Sequence, residues 1–464
     1  MAENIVKPER PGGFLDFLPA DYLARELMLK KIEKIFRSFG FDPIETPRIE
    51  FLKTLSGETS DTGKNIFHIK NAPDDEPLAL PFDHTVPFAR ILAANPYDNK
   101  KKTGIRLPWR RMVVGPVFRS DTPQSGRYRQ FYQFDVDIAG TSSMIADAEI
   151  ISMMYLTMVN LGVKKFRIHL NNRKILNGLA SLTQIQDREN VKADDITREM
   201  MRTLDKLDKI GLDEVIKLLQ SPPENKFDPS PNLSDDSIEK IKSFLALEGE
   251  NRAKLDNCKN LFEEVRDAKE GVEELLEIIN YLDALQVPSE YIEINFSIAR
   301  GLDYYTGPVM ETILSDAPEF GSVFSGGRFN DLVSRFTGKE LPAVGASIGV
   351  DRLFSAMDHI GILDRSKQSV TEVIILRLSK NHDLDYLSIA SLIRKTGFIV
   401  EICLVEDTTF KSQFNFAINK GVNYVVICGE DEFKKQIIQV KNLSTRVQEQ
   451  IPIKELSSYF ENLL

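Results

Sequence analysis

Cysteine is scarce in this chain of 464 residues: Cys258, Cys403 and Cys428 stand far apart, with no CxxC pair. The five histidines, at positions 68, 84, 169, 359 and 382, show no metal-ligand spacing. Neither a disulfide framework nor a protein-held metal is expected, and a reducing, cytoplasmic location is the default. No stretch of about 20 uncharged apolar residues occurs, so no membrane span is expected. The first ten residues, MAENIVKPER, also lack an apolar signal core. No GxxxxGKS or GxxxxGKT segment is present, which rules out a P-loop, and there are no internal repeats or low-complexity tracts. Nor is there an excess of positive charge. Against 59 Lys and Arg stand 69 Asp and Glu, a net of −10, which argues against a surface that binds polyanions throughout.

Hydrophobic residues make up 42% and charged residues 28%, an ordinary globular composition. At about 100–200 residues per domain, the length predicts two to four domains. The charge is unevenly placed. Residues 1–150 carry 21 basic and 21 acidic side chains, and residues 371–464 carry 11 and 12, whereas residues 181–290 carry 15 and 26. The acidity thus belongs to one internal segment. Residues 100–129 run the other way, with nine Lys or Arg against Asp121 alone. Most such runs are solvated loops. Here arginines outnumber lysines and lead into an apolar, glycine-containing stretch, and arginine is favoured where phosphate is gripped in fixed geometry.

Leu23, Leu27, Ile32, Ile35, Phe36 and Phe39 fall near helical spacing and predict a helix over 22–39, stopped at Gly40. FDPIETPRIEF follows and, with Pro43 and Pro47, suits an edge or interface strand. The next pattern is strand, loop, strand: RMVVGPVFR, SDTPQSGRYR, QFYQFDVDIAG. Along the second strand Gln133, Asp135 and Asp137 alternate and share one face. A helix follows over 144–161. Residues 181–290 read as a helical insertion with one long surface loop, SPPENKFDPSPNLS. Strand patterning returns in YIEINFSIARGLDYYTGPVMETIL, and AVGASIGVDRLFSAMDHI opens a helix directly after a glycine-rich strand. FSGGRFNDL alone suggests only a turn. The tail alternates strands and helices, the mark of a small parallel-rich α/β domain.

Four segments carry chemistry. In GPVFRSDTPQSGRYRQFYQFDVD, Arg119 ends one strand, Arg127 sits in the loop and Phe131 lies on the return strand. A guanidinium cross-links two phosphate oxygens and an aromatic face stacks on a purine, a set that suits ATP on an antiparallel sheet. In AVGASIGVDRL, Gly345 and Gly349 let the backbone approach a ligand, with Arg352 at the start of a helix; such small residues also simply pack. ARGLDYYTGPV combines Arg300, Asp303 and paired tyrosines, which suits either a small polar pocket or the end of a core strand. In LALPFDHTVPFAR, Asp83 and Thr85 stand one residue apart on what reads as an extended segment, so both share a face fit for an ammonium group. His84, between them, faces away and reads as structural.

Taken together, these segments resemble the class II aminoacyl-tRNA synthetases, and within them the histidyl-tRNA synthetase family, over nearly the whole chain. GPVFRSDTPQSGRYRQFYQFDVDIAG is similar to motif 2, AVGASIGVDRL to motif 3 and FGFDPIETPRIEF to the degenerate motif 1. ARGLDYYTG resembles the signature peculiar to the histidine enzymes, and PFDHTVPFAR their amino-acid-binding loop. Asp83 and Asp121 stand where many members carry glutamate. The resemblance implies that Arg119 and Arg300 flank the α-phosphate as the catalytic charges. It places Arg127 and Arg352 at the γ-phosphate of a bent ATP, beside Asp121, and stacks Phe131 on adenine. Asp83, Thr85 and Gln133 would hold the α-amino group of L-histidine. Asp137 and Tyr305 would contact the imidazole nitrogens, and Tyr304 would complete that pocket.

The implied fold is α+β: a class II antiparallel-sheet catalytic core with a helical insertion, plus a C-terminal α/β anticodon-binding domain. The expected boundaries are 1–176 for the first part of the core, 177–289 for the acidic insertion and 290–362 for the second part. A linker at 363–370 leads to the anticodon-binding domain at 371–464. The implied activity joins L-histidine to tRNA(His) through an adenylate formed from ATP with Mg2+, in a homodimer that dimerises through motif 1. A competing reading is a non-catalytic paralogue serving as regulatory subunit of ATP phosphoribosyltransferase. Such paralogues usually lose the arginines and the anticodon domain, whereas Arg119, Arg127, Arg300, Arg352 and the α/β tail are all present.

Overall fold

A computed structural model describes residues 6–56, 65–73, 75–123, 126–298 and 305–463. The chain divides into two compact units. One comprises the described residues of Met1–Leu15 and Lys30–Ile362, the other those of Asp16–Leu29 and Leu363–Leu464.

The larger unit is built on one twisted sheet. At one edge the short β1 (Asp42–Pro43) runs parallel to β4 (Trp109–Phe118). A separate ribbon pairs β2 (Glu50–Phe51) with β3 (Leu78–Ala79). The motif 1 stretch thus forms two very short strands. Pro47 has no N–H to donate, and Pro43 keeps its strand at the sheet's edge. From β4 the sheet continues antiparallel through β5 (Gln130–Ala139), β10 (Ala343–Gly349), β9 (Ser322–Phe329), β8 (Pro308–Leu314) and β6 (Phe166–Asn172). It ends on β7 (Ile292–Ile294), parallel to β6. The expected antiparallel core is therefore a six-stranded body with one short parallel strand at each edge. FSGGRFNDL is mostly strand β9, with its glycines in the interior, and the expected turn is corrected on that point. At Gly327 a Cβ would stand 2.8 Å from the ring of Tyr305, so close approach, and not a reversal, demands the glycine.

Strand alternation assigns the two faces of β5. Phe134, Val136 and Ile138 are buried in the layer that also takes helix α1 (Pro19–Ser38), whose Phe36 meets the ring of Phe134 at 4.8 Å edge-on. Burying a Phe side chain contributes about 1.5–3 kcal/mol. Helix α4 (Met144–Asn160) starts at Ser143, whose side chain accepts from the N–H of Ile145 at 3.3 Å. Arg328 of β9 ties this helix start to the sheet. It donates to the carbonyls of Thr141 (2.8 Å) and Ser143 (3.1 Å) and pairs with the fully buried Asp147. Between β6 and β7 the acidic segment forms helices, the longest Arg266–Ala284, and residues 222–234 form the long loop expected from their prolines.

In the smaller unit the strands Val400–Ile402, Val373–Ile375 and Tyr424–Ile427 run parallel. Ile437–Asn442 and Gln448–Pro452 then add antiparallel, the last a strand not read from its polar sequence. Alternation sends Val373 and Ile375 to one core with Tyr386, Ile389 and Phe460, and Ile374 and Leu376 to another with Cys403, Ala417 and Val425. Helices on both faces explain the nearly continuous apolar runs of the parallel strands. The three cysteines are free and buried, and burial pushes the Cys428 thiol up to about 12.

Candidate functional site

The polar face of the large sheet floors a cavity of about 570 Å³. Gln133, Asp135 and Asp137 of β5 rise into it, facing Gly349, Ser347 and Gly345 of β10 in register. A Cβ on Gly345 would come within 2.6 Å of the Asp137 carboxyl carbon, so the glycine is the space that Asp137 occupies. Asp83 and Thr85 also line the cavity, though not from an extended segment. Thr85 is the first residue of helix α3 (Thr85–Ala94), and Asp83 Oδ1 accepts from the N–H of Val86 at 3.2 Å. The expected strand alternation is corrected there: the carboxylate caps a helix start. His84 points into the protein, as expected. It is buried against the carbonyl of Gly115 at 3.2 Å, and burial beside Arg111 lowers its pKa to about 4, which keeps it neutral.

At this end lies a residue the sequence reading missed. Arg111 of β4 is fully buried, pairs with Asp137, donates to the carbonyl of His84 at 3.2 Å and stands 4.5 Å over the ring of Phe88. An arginine at the head of the apolar run RMVVGPVF was the available signal, because a buried arginine needs a partner. Asp135 was placed on the right face without a role, and Ser347 was passed over; they hydrogen-bond to each other. Burial outweighs the nearby arginines and raises Asp137 to about 7 and Asp135 to about 6, and it raises Asp83 as well. Three carboxylates thus crowd one end of the cavity, where a ligand cation would relieve their mutual repulsion.

The other end is arginine-rich. Arg119 donates to the carbonyl of Phe82 at 3.0 Å and lies 5.1 Å over the ring of Phe131. Arg127, half exposed, is paired with Asp121 at 2.6 Å, and Arg352 donates to the carbonyl of Ser322 at 2.9 Å. Arg352 stands at the start of helix α13 (Val350–His359), where the neighbouring Asp351 accepts from the N–H of Tyr132 at 2.7 Å and fixes the helix to β5. The cavity therefore brings together Arg119, Asp121, Arg127, Phe131 and Arg352 at one end and Asp83, Thr85, Gln133, Asp137 and Tyr305 at the other. Arg300 and Tyr304 lie outside the described residues.

The chain as a whole also matches known proteins. The family model described as histidyl-tRNA synthetase matches residues 13–353, and an anticodon binding domain model matches residues 372–463. The histidine–tRNA ligase of Clostridium tetani is 36% identical over 466 residues, covering 100% of both chains. That of Helicobacter hepaticus is 35% identical over 451 residues, 96% of each. The crystal structure of histidyl-tRNA synthetase from a Nostoc species superposes with a TM-score of 0.81 at 29% identity, covering 99% of this chain and 100% of that one.

Proposed function

Because the chain belongs to the histidyl-tRNA synthetase family, we propose that it ligates histidine to tRNA(His) through a histidyl-adenylate formed from ATP. The observation that carries this reading is one cavity with buried carboxylates at one end and arginines at the other. In the first step a carboxylate oxygen of histidine attacks the α-phosphorus, the bond to the β-phosphate oxygen breaks and pyrophosphate leaves. Both reactants are anions, so the work is positioning and charge neutralisation. Arg119 and Arg300 take the charge that develops at the α-phosphate. Arg127 and Arg352 exchange their present partners, Asp121 and the Ser322 carbonyl, for outer phosphate oxygens, and Phe131 stacks on the adenine. In the second step a ribose hydroxyl of the tRNA attacks the carbonyl carbon and AMP leaves.

Magnesium fits as an ion carried on the nucleotide. Among the described residues no three His, Cys, Asp or Glu side chains form a cage, and this ion commonly rides on phosphate oxygens with one or two carboxylates; Asp121 lines the arginine end and would be the carboxylate to assist. Its chemistry there is further neutralisation of the triphosphate.

At the carboxylate end, Asp83, Thr85 and Gln133 receive the α-ammonium group. Neutral imidazole offers one donor and one acceptor nitrogen. Asp137 takes the first and Tyr305 the second, and by the family resemblance Tyr304 completes the pocket. Such pairing rejects analogues that lack it by about 10⁴–10⁵.

The segment division at 176, 289, 362 and 370, the cytoplasmic location and a symmetric homodimer belong to the same proposal. The dimer is supported by the short edge strand β1 and by Leu107 and Val114, before and on β4, exposed 43% and 40%. The regulatory-paralogue reading has less support, since three arginines line the cavity and residues 372–463 match the anticodon model. The decisive assay is ATP–pyrophosphate exchange. We expect exchange with histidine and with no other amino acid; exchange without histidine, or none at all, removes the reading.

A further inference from the structure

Three residues on the cavity floor form a hydrogen-bond chain that none of the roles above uses. Gln133 Nε2 donates to Ser347 Oγ at 2.8 Å, and Ser347 Oγ donates to Asp135 Oδ1. The register of β5 and β10 holds them, with Ser347 opposite Asp135 and Gly349 opposite Gln133. The other polar atom of the Gln133 side chain, Oε1, is buried and has no hydrogen-bond partner among the described residues.

The polarity of this chain follows from the groups themselves. A carboxylate only accepts, so the single hydroxyl proton of Ser347 is committed to Asp135. Ser347 then only accepts from Gln133, which turns the amide nitrogen to the hydroxyl and leaves the carbonyl oxygen for a ligand. An amide's orientation is decided by its network, and here each link forces the next. Within β10 the other cavity-facing positions are Gly345 and Gly349, so no second side chain shares the task.

We propose that Ser347, anchored on Asp135, is a positioning residue that holds Gln133 with its oxygen toward the α-ammonium group of the amino-acid substrate. This rests on the histidine reading of the cavity. A flipped amide would present two donors to a group that has only donors. The relay therefore selects for an ammonium at this place, and it acts through Gln133 without Ser347 touching the ligand.

The test is calorimetry at pH 8, above the raised Asp135 and Asp137, with two ligands: histidine and imidazolepropionate, which lacks the amine. Ser347→Ala is expected to weaken histidine by about 5–10-fold, the worth of one hydrogen bond, and to leave imidazolepropionate within about twofold. Ser347→Thr keeps the hydroxyl and restores histidine binding. Asp135→Asn can donate to the serine and let its proton turn to Gln133, so it weakens histidine at least as much as Ser347→Ala. Equal losses for both ligands, or unchanged histidine binding in Ser347→Ala, overturn the relay while the functional reading stands. A wild-type protein that binds no histidine removes the functional reading and the relay with it.

Discussion

The two ends of the cavity solve opposite electrostatic problems. At the carboxylate end one ion pair is fixed inside the protein: Arg111 and Asp137 are both buried and pair across β4 and β5. At the arginine end the partners are replaceable: a carboxylate on a half-exposed arginine, and backbone carbonyls. In the proposed function one end recognises the amino acid, and the other receives a triphosphate and releases pyrophosphate. A fixed pair on paired strands suits the first task, and arginines with temporary partners suit the second.

The contrast is broken most severely at Arg111. Arg111→Ala strands Asp137 in the interior, and we expect a loss of about 3–5 kcal/mol in stability, read by urea unfolding. A loss below 1 kcal/mol would mean that the pair does not organise this end. Next comes Arg300→Ala, expected to slow adenylate formation by about 10²–10³ with histidine affinity little changed, as single-turnover kinetics beside calorimetry would show. Equal losses in both would assign that arginine a structural role.

Asp137→Asn sharpens the comparison. Histidine affinity should fall by about 1.5–3 kcal/mol with ATP affinity unaffected. An unchanged histidine affinity would take Asp137 out of the pocket. The same variant has a pH signature. Asp137 and Asp135 are raised from 3.8 to about 7 and about 6 in the folded protein. Their contribution to stability is fully present below pH 4 and is lost as pH rises through 6 and 7. Unfolding of the ligand-free protein between pH 5 and 8 should show this decline, flattened in Asp137→Asn; an identical slope would assign the decline to other groups. Smallest of all, Asp121→Ala at the arginine end should change stability by under about 1 kcal/mol, because its partner is half exposed. A larger loss would show that this pair is no temporary one.

What the sequence disclosed follows the same division. The hairpin from Trp109 to Ala139 was legible because two patterns agreed: apolar alternation and a loop rich in turn formers. The arginines of the second end were legible by place: Arg119 directly after a strand, Arg127 in the loop and Arg352 at the start of a helix after a glycine-rich strand. The balancing pair was harder. Asp137 declared itself by alternation with Gln133, but Arg111 lies on another strand, and a pairing across strands is a property of register, which composition does not carry. Asp83 and Thr85 were found for a wrong local reason, since the backbone leaves the extended region at His84, where the helix cap begins. The strand at Gln448–Pro452 was missed because its first three side chains are polar and exposed, and Ile451 alone signals its packing on the core.

The smaller unit joins Asp16–Leu29 to residues beyond Ile362, with Asp21 paired to Arg365 at 2.6 Å. During synthesis those N-terminal residues leave the ribosome first and the rest of their unit last. At about 5–20 residues per second the interval is on the order of tens of seconds. Over that time the apolar side chains of Asp16–Leu29 lack the later part of their own unit to pack on, which is an aggregation liability. A circular permutant that moves residues 1–29 behind residue 464 would leave only residues 1–15 between the two parts of the small unit and shorten that wait.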